Sequence, residues 1–153
     1  MSHIIALFLQ FIPEETALAF LATVFLKVEI DKKTVLVIGL ISGVAVYLFR
    51  MLPVTFGFHT IFLILLDTVL LNYFYQRRVL DCFSSILKPF ILLFFCEIIT
   101  ANILHYISDK SIEELIRNPL IKTIVVLPQV ILLFLVGIVI LWMRDKKEQR
   151  YDL

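Results

Sequence analysis

The sequence predicts an all-α, polytopic integral membrane protein of about five transmembrane helices, with its N-terminus outside and its C-terminus in the cytoplasm. Three observations carry that reading. Of the 153 residues, 61% are hydrophobic and 18% charged, with a mean hydropathy of +0.99, whereas soluble domains are about half apolar and a quarter charged. Fourteen phenylalanines are more than a water-soluble core of this length can cover. The charged residues also gather between apolar runs, the arrangement that lipid imposes as a solvent.

A spanning helix needs about 20 apolar residues to cross about 30 Å of hydrocarbon. Residues 34–52, 54–75, 79–107 and 119–143 meet that length. The first span is less direct. Residues 16–26 are apolar but short, and Pro13, Glu14 and Glu15 separate them from an earlier apolar stretch. Proline at the first helical position followed by acids marks a helix start. The expected first helix therefore covers residues 13–30, and residues 1–12 form an interfacial segment that lies along the membrane surface or enters it. The alternative is one kinked helix from Ile4 to Leu26, which puts both glutamates at mid-depth, where carboxylates are costly.

The connections follow in order. Lys32 and Lys33 separate the first two helices, Pro53 and Gly57 the second and third, and Arg77 and Arg78 the third and fourth. In the longest connection Ser111-Ile-Glu-Glu114 matches a capping box. Asn118-Pro119 then reads as the cap and first residue of the fifth helix, and residues 144–153 form a charged tail. No internal repeat divides the chain, so residues 1–153 are read as one domain.

Orientation follows from the positive-inside rule. One set of connections holds Lys27, Lys32, Lys33, Arg77, Arg78, Arg144, Lys146, Lys147 and Arg150, while the other holds Arg50, Lys110, Arg117 and Lys122. Trp142 and Tyr73-Phe74-Tyr75 fall near the cytoplasmic interface, where aromatic belts form. No basic stripe suits nucleic acid. Cys82 and Cys96 have no metal-ligand spacing, so neither a disulfide framework nor a zinc site is expected, nor any cofactor. No Lys or Arg precedes Lys27 and no small-residue cleavage site follows the first apolar run, so a cleaved signal peptide is not expected.

Polar groups at membrane depth cost free energy unless paired, which makes them functional candidates. Counting about 1.5 Å per residue puts Asp67 and Lys88 at similar depth on adjacent helices. An intramembrane ion pair is expected there, as a structural clasp or an ion relay, with Lys88 snorkelling to the interface as the alternative. Glu97 and Gln129 match in the same way, and Gln129 follows Pro128, which favours a kink. They read as a small polar binding site or as a hydrogen-bonded packing contact. Toward the outer face lie Glu14, Glu15, Arg50, His59 and His105, and Glu97, Ala101 and His105 share a helix face. The candidate ligand-binding set is Glu14, Arg50, His59, Glu97 and Gln129, weighed against a purely structural network.

Catalysis finds little support. Cys82 lies near the opposite face from His59 and His105, and Ser84 and Ser85 have no nearby histidine, so no nucleophile meets a base. The chain is read as non-enzymatic, with no metal. None of its four glycines builds a nucleotide loop. Gly39-Leu-Ile-Ser-Gly43 has GxxxG spacing with Ser42 alongside, a close-packing face used within the chain or in a homodimer.

Several stretches resemble the multi-span membrane sensor region of histidine kinases from spore-forming and related Gram-positive bacteria, of the kind allied to peptide quorum sensors. They are Ile12-Pro13-Glu14, Tyr47-Leu-Phe-Arg50-Met-Leu-Pro53, Phe56-Gly57-Phe58-His59-Thr60, Ser111-Ile-Glu-Glu114, Asn118-Pro119 and Leu127-Pro128-Gln129. The resemblance covers nearly the whole chain in order. It implies a bacterial plasma-membrane module that perceives a signal and passes it on within a two-component system. The phosphoacceptor helix and ATP-binding domain of such kinases are missing here, so the module is expected to act through another membrane or cytoplasmic signalling protein. Residues 144–150 read as the stub of a signalling helix or as a stop-transfer anchor. The competing function is a small transporter or the membrane subunit of one, motivated by Asp67, Lys88, Glu97 and Gln129 and by helices expected to break at Pro89 and Pro128.

Overall fold

A computed structural model describes residues 7–50, 58–107 and 119–151. Its elements are α1 (Ile12–Leu26), α2 (Lys32–Arg50), α3 (Phe58–Tyr75), α4 (Val79–Ile107) and α5 (Pro119–Tyr151), with a π turn (Leu7–Phe11) running directly into α1. Among the described residues there is no strand. Four helices, α2 to α5, are each long and apolar enough to cross a membrane, over Lys32–Phe49, Phe58–Tyr75, Val79–Thr100 and Leu127–Arg144. This is an all-α membrane protein.

The first helix departs most from the sequence reading. Gln10 and Phe11 are buried inside the bundle rather than laid along its surface, and the chain is helical from Leu7 onward. Pro13 explains the form this takes. It has no N–H for the carbonyl of Leu9, and its ring crowds that carbonyl, so the ladder loosens into a π turn instead of stopping. Within the described residues this is one continuous helix with a π turn, closer to the single-helix alternative, with Glu14 and Glu15 both buried. The fifteen residues of α1 cover about 22 Å, and the π turn brings the run close to 30 Å.

α1 occupies the middle of the bundle. It packs on α2, α4 and α5, while α3 closes the side between α2 and α4. Its apolar residues point in every direction, as a helix surrounded by protein requires, and Ala17, Leu18, Leu21, Ala22 and Thr23 are fully buried. The surrounding helices turn Val69, Leu80, Phe94 and Leu135 outward, which in a membrane is the lipid face.

Three sets of contacts fix the register. Gly39 of α2 lies against Thr16 and Gly43 against Ile12, so α1 and α2 are antiparallel. Both glycines of the GxxxG stripe are thus used within the chain. Phe49 stacks on Phe62 with centroids 4.5 Å apart, and Ser42 bonds to Asp67 further along, so α2 and α3 are antiparallel. Gly137 of α5 meets Phe20 and Leu21, and further along Ile140, Met143 and Arg144 line one cavity with Val24, Phe25 and Lys27, so α5 runs parallel to α1.

Four threonine hydroxyls inside these helices are satisfied locally. Thr16, Thr23, Thr68 and Thr100 each donate to the carbonyl four residues back, at 2.6–2.8 Å, the usual way to keep a hydroxyl in an apolar bundle. α4 runs through Pro89 and α5 through Pro128 without interruption, so the breaks expected there do not occur. α5 also continues past residue 143 to Tyr151.

The connection from α1 to α2 is set by two residues. Lys27 adopts a left-handed conformation (φ 57°), and its N–H reaches Val24 O at 3.2 Å, ending α1 before residue 30. Asp31 then caps α2, accepting from the Thr34 hydroxyl at 2.7 Å and from the Lys33 and Thr34 N–H groups at 3.2 and 3.3 Å. These bonds, the Thr34 hydroxyl first, hold the Asp31 carboxyl below its ordinary pKa. A lowered folded-state pKa adds stability that is present above the unfolded value and lost as pH falls through the folded one. Asp31→Ala should therefore be less stable than the parent at neutral pH, with the gap narrowing on acidification below the usual carboxylate range. Thermal unfolding in detergent across a pH series checks this; a gap that widens in acid would refute it.

Candidate functional site: a buried polar layer

The register brings several polar groups to one level of the bundle. Ser42 lies between Gly39 and Gly43, hence near the level of Pro13. Its hydroxyl donates to Oδ1 of Asp67, which is 1% exposed. Gln129 is eight positions before Gly137, as Ile12 is eight before Phe20, so it falls on the same level of the parallel pair and is 5% exposed. Glu14 and Glu15 on α1 are buried within a turn of it. Three carboxyls, one hydroxyl and one amide thus form a layer across α1, α2, α3 and α5.

The layer is a rare and costly arrangement in hydrocarbon. The Ser42 hydroxyl is bonded across helices rather than back to its own. Gln129 Oε1 is buried with no hydrogen-bond partner among the described residues. That is an acceptor held in a dry interior, a cost of about 1–3 kcal/mol by the usual penalty for an unmade bond.

The candidates from the sequence are only partly gathered here. Glu14 and Gln129 share the layer. Arg50 ends α2 seven residues beyond Gly43, about 10 Å along the axis, at the same end of the bundle as His59 in the first turn of α3. The side chain of Arg50 lies outside the described residues, as do those of Ala101 and His105 and all of residues 108–118, which hold the expected capping box and Asn118. His59 is half-buried. Glu97 is on the exposed side of α4, whereas Gln129 is buried. No group of three or more His, Cys, Asp or Glu that could hold a metal occurs among the described residues.

Asp67 and Lys88 are not paired. Asp67 turns to Ser42, whereas the Lys88 ammonium stands 5.2 Å from the centroid of the Phe25 ring, in a cavity shared with Lys27 and Arg144. From Pro13 to Phe25 is twelve residues, about 18 Å along α1. Lys88 has snorkelled away from the layer toward the charged end.

No known family, curated protein or solved structure matches this chain. Sequence reading missed two participants. Ser42 was visible as a small polar residue inside the glycine stripe, three positions after Gly39. Arg144 read as part of an anchor, and only the parallel packing of α5 on α1 brings it to Lys27 and Lys88.

Proposed function

We propose that this chain is a non-enzymatic signalling or regulatory membrane protein that crosses the bilayer five times, with its N-terminus outside and its C-terminus in the cytoplasm. It acts through a partner membrane or cytoplasmic protein. The observation that carries the proposal is the continuity of α5. Its 33 residues cover about 50 Å, against about 30 Å of hydrocarbon. One rod thus joins the buried Gln129 to the charged residues 144–150. At the interface the Lys146 ammonium lies 4.0 Å from the centroid of the Trp142 ring, which steadies the helix where it leaves the membrane. A change of packing around the polar layer would move the charged segment as one piece.

The resemblance to kinase sensor regions agrees with this reading. The transport alternative draws on the buried carboxyls of Glu14, Glu15 and Asp67, while α4 and α5 running unbroken through Pro89 and Pro128 removes one of its motives.

Purification of the tagged protein in mild detergent, with mass spectrometry of what accompanies it, separates the two. A kinase, a response regulator or a membrane-bound regulator should co-purify, and a two-glycine insertion after Arg144 should abolish its response while leaving membrane insertion intact. Recovery of an ATPase or a substrate-binding protein, with substrate uptake lost in Asp67→Asn, would replace the signalling reading with transport.

A further inference from the structure

At the opposite end from His59, the C-terminal part of α1 and the neighbouring turns of α4 and α5 line a half-open cavity of about 370 Å³. Its walls are apolar, from Val24, Phe25, Ile140 and Met143. Among the described residues its polar groups are Lys27, Lys88 and Arg144, all cationic, and no acid lines it. The volume falls in the range of small-ligand sites.

Each cation has a reason to be noticed. Lys88 comes from within α4 and reaches this space instead of Asp67. Arg144 holds its Nε buried with no hydrogen-bond partner among the described residues. Lys27 stands at the left-handed C-cap of α1. The carbonyls at that helix end amount to about half a negative charge, so three cations leave a positive excess among the described lining residues. Trp142 and Tyr73 are exposed near the same end, where aromatic side chains mark the boundary between hydrocarbon and headgroups.

The geometry points to this cavity as a binding site for the phosphate headgroup of an anionic membrane phospholipid. Lys88 and Arg144 meet the phosphate, and Phe25, Ile140 and Met143 meet the start of the lipid's apolar part. Basic pockets between membrane helices are suited to such headgroups, and a lipid arrives with an apolar portion that the walls accommodate, which free phosphate lacks. The inference rests on membrane residence and on the cavity alone; it stands whether the chain signals or transports.

The test is lipid retention by the full chain in detergent, read by native mass spectrometry after addition of phosphatidylglycerol or phosphatidylcholine. Phosphatidylglycerol should be retained in excess. Lys88→Gln and Arg144→Gln should each lower that preference about fivefold, the scale of one cation near a charged headgroup, and the double variant should treat the two lipids alike. Lys88→Met, which keeps the apolar stem, guards against a packing defect: it should match Lys88→Gln in retention and the parent in thermal unfolding in phosphatidylcholine. Lys33→Gln, an exposed cation outside the cavity, should change nothing. Equal retention of the two lipids by the parent would overturn the proposal. So would displacement of phosphatidylglycerol by millimolar inorganic phosphate, which would assign the site to a soluble anion.

Discussion

Gly39→Ala should be the most damaging small substitution in this protein, lowering stability by about 3 kcal/mol or preventing folding, at the upper end for overpacking. A Cβ at Gly39 would collide with the Thr16 hydroxyl and stand 2.6 Å from the Thr16 Cα and 2.8 Å from its Cβ. The hydroxyl is tied to Ile12 O at 2.7 Å, and the Cα is backbone, so neither can swing aside. α1 and α2 must separate instead. In a membrane that is especially costly, because close packing rather than water exclusion holds helices together. The other glycines grade the effect. At Gly43 the nearest atoms, Ile12 Cα and Cγ1, lie at 3.0 Å, which a small shift accommodates. At Gly137 the obstacle is the Phe20 ring, itself against Phe134 with centroids 5.5 Å apart. Phe20→Leu should therefore rescue Gly137→Ala, whereas Thr16→Ala should not rescue Gly39→Ala, since the backbone obstacle remains. Unfolding midpoints in detergent for these variants would check the order; equal losses at Gly39 and Gly43 would refute the close-approach account.

The second large effect concerns Ser42 and Asp67, and it is a coupling rather than a single loss. Ser42→Ala strands a carboxyl that is almost wholly inside the bundle, at a cost of about 1–3 kcal/mol. Asp67→Leu should cost less, because the Ser42 hydroxyl can turn back to the carbonyl of Ile38 as the threonines of this bundle do. The double variant replaces a polar pair with apolar groups and should lie near the parent, so the double-mutant cycle should return a coupling of about 1–3 kcal/mol. Additive losses would mean that the two groups are energetically independent. Asp67→Asn keeps a hydrogen-bonding partner for Ser42 and should be nearly neutral in stability. If it abolishes output while the protein stays folded, the ionisable group itself is used.

Much of this architecture was legible in the residues. The fourth helix begins at Val79, where the apolar run and its flanking charges predict it, directly after Arg77 and Arg78. The glycine stripe announced the tightest helix pair. What could not be read was azimuth. Asp67 and Lys88 stand at similar distances from the turn at residues 76–78, so counting depth brings them together. Depth says nothing about which way a side chain faces, and the long stem of Lys88 carries its charge well down the bundle. Pro13 misled for a related reason. Proline followed by acids starts helices in water, where the lost N–H is harmless, but inside a bundle the surrounding helices hold the chain helical and a π turn absorbs the defect. The layer at Ser42, Asp67 and Gln129 was half visible, since each residue is unusual for its surroundings but only the helix register places them at one level.

The enclosure of α1 has a consequence for how the molecule is made. Of the described helices it emerges first from the ribosome, yet its neighbours α4 and α5 are synthesised last. Until they arrive, α1 is covered by protein only where α2 packs on it, and its acidic turn lacks the enclosure of the finished bundle. Final assembly therefore waits on the C-terminal half, and a chain interrupted before α5 presents an acidic helix to hydrocarbon. Such a nascent intermediate is what membrane quality control removes.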